Sequence, residues 1–274
     1  MPEGDTVFLT CHRLHRALAG RALVHGELRH PRLSAVALDG WTVRAAQPAG
    51  KHLLIRFDND RTLHSHLRMD GSWHLYSPGT RWRRPAHQAR AVLARAERVA
   101  VGFNLHELAL IPTAEEHRLV GHLGPDLLDP DWNDDRAAEA ARRLGADPDR
   151  AIGAALLDQT ALAGVGNIYK TEVCFLLGRS PRTPVSEVDL PEAVRLCREL
   201  LLRNAWRPER STTGDTHPRA RHWVYGRRRC LRCSTPVHRD TQGRRETPGR
   251  RDTRNPRGTP DDERVSYQCP RCQR

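Results

Sequence analysis

Hydrophobic residues near the start of the chain recur with the spacing of an α-helix. One face of the segment 5–19 carries Val7, Cys11, Leu14 and Leu18. Asp5 is the predicted N-cap of this helix, and Gly20 ends it. Residues 21–104 follow another pattern, in which hydrophobic and polar residues alternate as they do in half-buried strands. The sequence therefore predicts a β-rich first domain that opens with a helix.

Helical periodicity takes over near residue 112 and continues to Trp206. The predicted helices lie near residues 114–121, 134–144, 151–158, 167–178 and 190–205. Beyond Thr212 the chain has little apolar content and two pairs of cysteines. We therefore predict an α+β protein of three parts, which are a β-domain over residues 1–112, a helical domain over 113–212 and a cysteine-bearing segment over 213–274.

The composition argues against a membrane protein. Only 38% of the residues are hydrophobic, and no run approaches the roughly 18 apolar residues that a spanning helix needs. Pro2, Glu3 and Asp5, followed by histidines and arginines, do not resemble a secretory signal. We therefore expect a cytoplasmic protein with no membrane partner.

Positive charge is concentrated in the last quarter of the sequence. The chain has a net charge of +12, and residues 203–274 contribute +11 of it, since they hold 19 basic and 8 acidic side chains. Arginine at this density favours a polyanion such as nucleic acid. A solvated basic tail without a partner is the alternative.

Lysine is scarce in a chain that is rich in arginine. Of the 45 basic residues only Lys51 and Lys170 are lysines. A compact ammonium group can lose its proton in a way that a guanidinium cannot. Lys51 is therefore a candidate for a chemical role that arginine cannot fill.

Four cysteines form two close pairs. The pairs are Cys230-Leu-Arg-Cys233 and Cys269-Pro-Arg-Cys272. In a cytoplasmic protein this pattern predicts a tetrahedral zinc site rather than disulfides. We expect one structural zinc ion, no other cofactor, and no chemistry at the metal. The interval between the pairs contains a segment near residues 241–263 that is poor in large apolar residues and is predicted to be a flexible insert.

Two glycines and an asparagine separate two predicted helices. In Gly164-Val-Gly166-Asn167, Asn167 is the predicted N-cap of the second helix. The amides at such a helix start can bind a phosphate. A tight connection with no ligand is the alternative.

Five motifs, in this order along the chain, resemble the formamidopyrimidine-DNA glycosylase and endonuclease VIII family. They are Met-Pro2-Glu3-Gly4, Gly50-Lys51-His-Leu-Leu, Ser65-His66-Leu-Arg68-Met69-Asp70-Gly71, Leu157-Asp-Gln159 leading to Gly164-Val-Gly166-Asn167, and Arg264 followed by Cys269-Pro-Arg-Cys272-Gln273. The likeness covers essentially the whole chain. The opening Pro-Glu-Gly-Asp-Thr is closer to the endonuclease VIII branch.

The resemblance implies a β-sandwich, a helix–two-turn–helix domain and a C-terminal zinc finger that together bind damaged DNA. It also implies that Pro2, once Met1 is removed, attacks C1′ of the sugar, expels the base and forms an iminium ion that permits β,δ-elimination. Model α-amines have pKa values near ~7.7–8.0, so a neutral fraction exists at neutral pH. The alternative for Pro2 is a small residue that merely permits removal of Met1.

The same resemblance assigns further roles. Glu3 moves protons around the opening sugar, although a glutamate beside an N-terminus is ordinarily a solvent-exposed charge. Lys51 and Arg264 contact phosphates close to the reacting sugar and are grouped with Pro2 and Glu3 as catalytic residues. Asn167 binds a phosphate from the glycine turn. We interpret Lys170 as a DNA-facing or solvated charge.

A base in duplex DNA must be extruded before it can be removed, so a side chain has to fill the gap. Met69 is the predicted wedge, and Arg68 and Asp70 contact the orphaned or flanking bases. A buried core methionine is the alternative.

We therefore predict a monomeric, nucleoid-associated DNA glycosylase and abasic-site lyase that favours oxidised pyrimidines. The alternatives within the enzyme class are an oxidised-purine or formamidopyrimidine glycosylase and an enzyme that acts mainly on abasic sites or single strands. The rival from another class is a zinc-finger DNA-binding protein without catalysis. A binder needs none of Pro2, Glu3 and Lys51, so their joint presence argues against that rival.

Overall fold

The computed structural model describes residues 2–243 and 263–274 of the chain. The predicted flexible insert near residues 241–263 therefore lies almost entirely outside the described residues. The chain divides into two compact units, residues 1–122 and residues 123–274. Every helix in the described part is too short or too polar to span a lipid bilayer.

The first helix, α1, spans Gly4–Leu18. Its N-cap is Glu3 and not the predicted Asp5, because the backbone of Glu3 is extended and its carbonyl oxygen accepts a hydrogen bond from the amide of Val7 at 3.1 Å. Asp5 lies buried in the first turn, where a carboxylate is favourable near the positive end of the helix dipole. The predicted hydrophobic face is confirmed, since the core contains Val7, Cys11, Leu14 and Leu18.

Eight strands follow α1 in the first unit. They are β1 His25–Leu28, β2 Val43–Ala49, β3 His52–Phe57, β4 Arg61–His66, β5 Ser72–Tyr76, β6 Ala89–Ala94, β7 Val99–Phe103 and β8 Glu107–Pro112. All their pairings are antiparallel. The strands form two four-stranded sheets with the orders β2-β3-β4-β8 and β1-β6-β7-β5. The predicted β-sandwich is confirmed.

The strand β8 lies beyond residue 104, where the alternating pattern of the sequence ends. The apolar run Leu-Ala-Leu-Ile in β8 lacks the alternation that marks a strand, and pairing with β4 is what makes it one. After β8, the amide of Thr113 donates to the carbonyl of Asp60 at 2.8 Å, and a short helix, α2, spans His117–Val120. This segment, which coincides with the predicted helix near residues 114–121, belongs to the first compact unit, residues 1–122.

Helices dominate the second unit. They are α3 Asp134–Leu144, α4 Ile152–Leu157, α5 Asn167–Leu176 and α6 Leu190–Ala205, all close to the predicted bounds. Two antiparallel strands follow, β9 His238–Gly243 and β10 Glu263–Gln268. The helices and the cysteine segment lie in one compact unit, so the division between residues 212 and 213 stays a prediction.

The carboxylate of Glu172 joins α5 to the segment that precedes the first cysteine pair. Glu172 is completely buried. Its oxygens accept hydrogen bonds from the amides of Trp223, Val224 and Tyr225 at 2.7, 3.0 and 2.9 Å. The hydroxyl of Thr212 donates a fourth. These contacts add to the packing of Val224 and Trp223 against Phe175 of the same helix.

We expect Glu172→Ala to destabilise the protein strongly. The change leaves three amides and a hydroxyl without their acceptor, and each such buried group costs roughly 1–3 kcal/mol. Thermal unfolding should show a clear fall in Tm. The matched change Glu192→Ala on α6 removes a carboxylate that pairs with exposed Arg195 and should leave Tm nearly unchanged. Equal shifts in the two variants would contradict the role of Glu172.

Candidate functional site

One end of the first unit gathers several of the predicted site residues. His52 lies opposite His66 in the β3–β4 pairing, so the turn between β2 and β3 is beside the C-terminal end of β4. The last turn of α1 lies at the other end of the sandwich. There Arg95, which follows β6, donates a hydrogen bond to the carbonyl of Ala17 at 2.9 Å. The N-terminus of α1 therefore points towards the turn that carries Lys51. We call this end of the sandwich the Lys51 end.

Pro2 and Glu3 stand at the start of α1. Pro2 is half-buried and Glu3 is completely buried. The alternative in which Glu3 is a solvent-exposed charge is therefore excluded. A buried carboxyl group beside Pro2 is placed to donate or accept protons there without competition from bulk water.

Lys51 occupies the turn between β2 and β3. Gly50 has a φ of +57°, a left-handed conformation that glycine adopts readily, and this lets the chain reverse just before Lys51. Lys51 itself is half-buried. The strand that follows is anchored by Leu53 and Ile55, which are fully buried. The backbone of Lys51 is thus fixed by two paired strands.

Residues 67–71 form the loop between β4 and β5, which we call the wedge loop. Met69 is 63% exposed, so the alternative of a buried core methionine is excluded. Asp70 accepts a hydrogen bond from Asn104 Nδ2 at 2.9 Å, and its other oxygen lies 3.0 Å from His106 Nε2. An exposed apolar side chain on a fixed loop suits insertion between bases.

Four histidines lie beside Lys51, and the sequence analysis missed their grouping. His52 Nδ1 lies 2.8 Å from His64 Nε2, and the rings of His66 and His122 lie 5.0 and 6.2 Å from that of His52. Burial, and then the charges of His66 and His64, lower the pKa of His52 to about 3. Burial also lowers the pKa of His64. The signal was visible in the sequence, because three of these histidines fall on one face of two consecutive strands.

Glu107, at the start of β8, connects this cluster to the wedge loop. It lies opposite His66 in the β4–β8 pairing and forms an ion pair with Arg68. His66 Nδ1 accepts a hydrogen bond from the amide of Arg68 at 3.0 Å. Arg68 is therefore tied through its guanidinium to Glu107 and through its amide to His66.

In the second unit, Asn167 is the first residue of α5, and Gly166 takes the N-cap position that was predicted for Asn167. The side chain of Asn167 turns away from the helix, and its Nδ2 donates to the carbonyl of Val265 at 2.8 Å. Val265 follows Arg264 on β10, so this bond brings the two predicted phosphate ligands of the second unit close together. Within the described residues, Oδ1 of Asn167 is buried and has no hydrogen-bond partner.

The structure corrects the interpretation of Lys170. Its side chain is completely buried, and Nζ lies 3.3 Å from Ser266 Oγ on β10. A fully enclosed ammonium group is neither solvated nor able to reach DNA. The sequence could not show this, because the enclosure of Lys170 depends on the packing of α5 against α4, α6 and the distant strand β10.

The four cysteines come together as predicted. The sulfur atoms of Cys230, Cys233, Cys269 and Cys272 all lie within 4.8 Å of one another. Two of the residues are buried and two are half-buried, and no disulfide joins any of the seven cysteines, all of which lie in the described residues. Tetrahedral ligands at a zinc–sulfur distance of roughly 2.3 Å would be roughly 3.8 Å apart. The set therefore fits a metal ion of this kind.

Two family models match the chain in succession. The formamidopyrimidine-DNA glycosylase N-terminal domain matches residues 1–122, and the formamidopyrimidine-DNA glycosylase H2TH domain matches residues 123–216. The chain belongs to the formamidopyrimidine-DNA glycosylase family. The two matches meet where the two compact units of the chain meet.

Curated relatives cover the chain from end to end. "Probable endonuclease 8 2" of Streptomyces coelicolor is 50% identical over 279 residues, which cover 100% of this chain and 94% of that protein. "Endonuclease 8 2" of Mycobacterium tuberculosis is 44% identical and covers 100% of both chains. "DNA-(apurinic or apyrimidinic site) lyase Nei2" of Mycolicibacterium smegmatis is 40% identical over 100% of this chain and 99% of that protein.

Solved structures of the family share the fold. Formamidopyrimidine DNA glycosylase of Lactococcus lactis, bound non-covalently to DNA with an AP site, matches with a TM-score of 0.75 and 21% identity over 100% of both chains. A complex of the LlFpg protein with THF-DNA and an inhibitor matches with a TM-score of 0.75 and 22% identity, again over 100% of both chains. At this level of identity the likeness establishes the fold.

We expect the stability of the protein to fall as the pH drops from about 6.5 towards 3. A histidine in the unfolded chain has a pKa of ~6.5, whereas His52 in the folded protein has a pKa of about 3. Between these values the unfolded state binds the proton and the folded state does not, so acid favours unfolding. Urea unfolding of wild type and His52→Gln at pH 7.5 and pH 5 measures this.

The loss of stability between pH 7.5 and pH 5 should be smaller in His52→Gln than in wild type. His87→Gln, a change at an exposed histidine, serves as the matched control and should lose as much stability as wild type. The same loss in all three proteins would show that His52 does not titrate in this way.

Proposed function

We propose that this chain is a base-excision repair enzyme, a DNA glycosylase that removes oxidised bases and an abasic-site lyase that nicks the strand. The observation that carries the proposal is Pro2 beside the buried Glu3, at the end of the sandwich that also holds Lys51 and the exposed Met69. Relatives named endonuclease 8 and abasic-site lyase support it over the whole length of the chain.

The reaction begins at the amine of Pro2 after Met1 has been removed. The neutral secondary amine attacks C1′, the N-glycosidic bond breaks, and the base leaves with the bonding electrons and gains a proton. Opening of the sugar gives an iminium ion on Pro2, which makes the C2′ proton acidic. Loss of that proton expels the 3′ phosphate, a second elimination expels the 5′ phosphate, and water releases Pro2 from the sugar fragment.

The neighbouring side chains serve these steps. Glu3 donates a proton as the sugar opens and accepts one during elimination. Lys51 binds the phosphate beside the lesion, and Asn167 and Arg264 bind phosphates from the second unit. Lys170 supports β10, the strand that carries Arg264, from inside the protein and does not contact DNA.

Extrusion of the base is assigned to the wedge loop. Met69 enters the gap in the base stack, because it is the exposed apolar residue of that loop. Arg68 and Asp70 contact the orphaned and flanking bases once their contacts with Glu107 and His106 open. The loop thus changes partners when DNA binds.

The favoured lesions are oxidised pyrimidines. The Pro-Glu-Gly-Asp-Thr opening and the relatives named endonuclease 8 support this choice. An enzyme that acts mainly on abasic sites is the second candidate, because a relative that is 40% identical over the whole chain is named for that lyase activity. Incision of oligonucleotides that carry oxidised pyrimidines, 8-oxoguanine or an abasic site separates the two.

The remaining assignments concern the metal and the assembly. The four cysteines hold one zinc ion, which organises the hairpin of β9 and β10 and takes no part in the reaction. One copy of the chain carries every residue with an assigned role, so we infer that the enzyme acts as a monomer. Its substrate places it in the cytoplasm, at the nucleoid.

We expect borohydride to trap a covalent adduct between the correctly processed enzyme and abasic-site DNA. Pro2→Gly replaces a constrained secondary amine by a flexible primary amine, and misplacement of the nucleophile should slow trapping on the order of 10²-fold. Glu3→Gln removes the proton donor and should slow it by about 10²-fold or more. Pro31→Gly, at an exposed site, is the control. No adduct from wild type lacking Met1 would overturn the enzymatic proposal.

We expect one zinc ion per chain by elemental analysis, and Cys233→Ser should lose it, because an alcohol does not replace a thiolate ligand at zinc. The matched change Cys197→Ser alters a buried thiol on α6 and should keep the metal. Full zinc content in Cys233→Ser would rule out the four-cysteine site.

A further inference from the structure

A short basic segment in the connection between β5 and β6 has no role in the proposed reaction. Its sequence is Arg81-Trp82-Arg83-Arg84. Arg81 and Arg83 are exposed, whereas Trp82 and Arg84 are half-buried. The segment therefore presents two guanidinium groups outwards and uses the other two side chains to hold itself against the sandwich.

Aromatic and cation–π contacts fix Trp82. Its ring packs edge-on against Phe103, with 5.9 Å between ring centroids, and the guanidinium of Arg29 lies 5.4 Å from its ring. Arg29 also donates to the carbonyl of Ala86 at 3.2 Å. With both neighbours in place, Trp82 is an anchor of the segment rather than a platform for stacking a base.

Hydrogen bonds place the segment beside the wedge loop. Arg84 Nη1 donates to the carbonyl of Asp70 at 3.1 Å. The amide of Asn104, whose side chain also holds Asp70, donates to the carbonyl of Gln88 at 2.9 Å. The basic segment therefore contacts the wedge loop that carries Met69, at the Lys51 end of the sandwich.

The arginines carry charge that carboxylates do not neutralise. Within residues 2–243 and 263–274, Arg81, Arg83 and Arg84 form no ion pair with an aspartate or a glutamate. The pKa of His74 is lowered mainly by burial and further by the charges of Arg84 and Arg83, which lie near it. The segment borders a depression of about 600 Å³. Exposed guanidinium groups without a carboxylate partner, on a backbone held by Trp82 and Arg84, suit phosphate binding.

We propose that Arg81 and Arg83 bind phosphodiester groups of the DNA next to the wedge, and that Trp82 and Arg84 hold them in position. The inference rests on the proposed function, since Met69 in the base stack is what brings the DNA backbone to this segment. The contacts are to phosphates rather than to bases, because Arg29 already lies over the ring of Trp82.

The test is the salt dependence of binding to a duplex that carries a central tetrahydrofuran abasic analogue, which resists cleavage. The double variant Arg81→Gln/Arg83→Gln should make the negative slope of log K against log salt concentration shallower by about 1.8, since each lost phosphate contact removes roughly 0.9. The matched control is Arg44→Gln/Arg98→Gln. It removes two exposed arginines from the opposite end of the same sandwich and should leave the slope unchanged.

An unchanged slope in the Arg81/Arg83 variant, or an equal change in the control, would overturn the inference. Borohydride trapping at low salt tests the proposed function separately, because neither residue contacts the reacting sugar. The Arg44→Gln/Arg98→Gln control should trap as much adduct as wild type. Absence of trapping in wild type would overturn the proposed function. The salt slopes would still test whether Arg81 and Arg83 bind phosphates.

Discussion

The antiparallel pairing of β3 with β4 determines where the chemical groups of the first unit lie. Its register is secured by burial, because Leu53, Ile55 and Leu63 on the inner face are fully enclosed, and each such side chain stabilises the fold by about 1.5–3 kcal/mol. A slip by one residue would turn this face outwards. With the register fixed, the turn at Lys51 and the wedge loop lie at the same end of the sandwich.

In the second unit, buried polar contacts help to position the candidate functional residues. Its last part is rich in arginine and has one small hydrophobic cluster, around Phe175 and Val224, and buried polar contacts add to it. Glu172 binds the segment before the first cysteine pair, and Lys170 and Asn167 on the same helix reach β10. The four cysteines add a metal-binding cluster to these contacts. The position of Arg264 follows from this set of interactions.

Structure could be predicted from the sequence wherever one local pattern decides it. The buried face of α1 and the helices of the second unit follow from periodicity of apolar residues, and the cysteine cluster follows from spacing. Prediction failed where the local structure depends on contact with a segment far away in the chain. The strand β8 has no alternation and exists through its pairing with β4. Lys170 is a charged residue of a kind usually found at the surface, yet it is enclosed because α5 packs against α4, α6 and β10.

The sequence by itself determined the order of elements, the family resemblance and the residue types that the proposed chemistry needs, among them Pro2, Glu3 and Lys51. These depend on motifs and short-range periodicity, which a linear sequence contains. Only the tertiary structure decided that Glu3 is buried, that Met69 is exposed and that Arg81–Arg84 lies beside the wedge loop. Burial and proximity are set by contacts between residues far apart in the chain, and no local pattern encodes them.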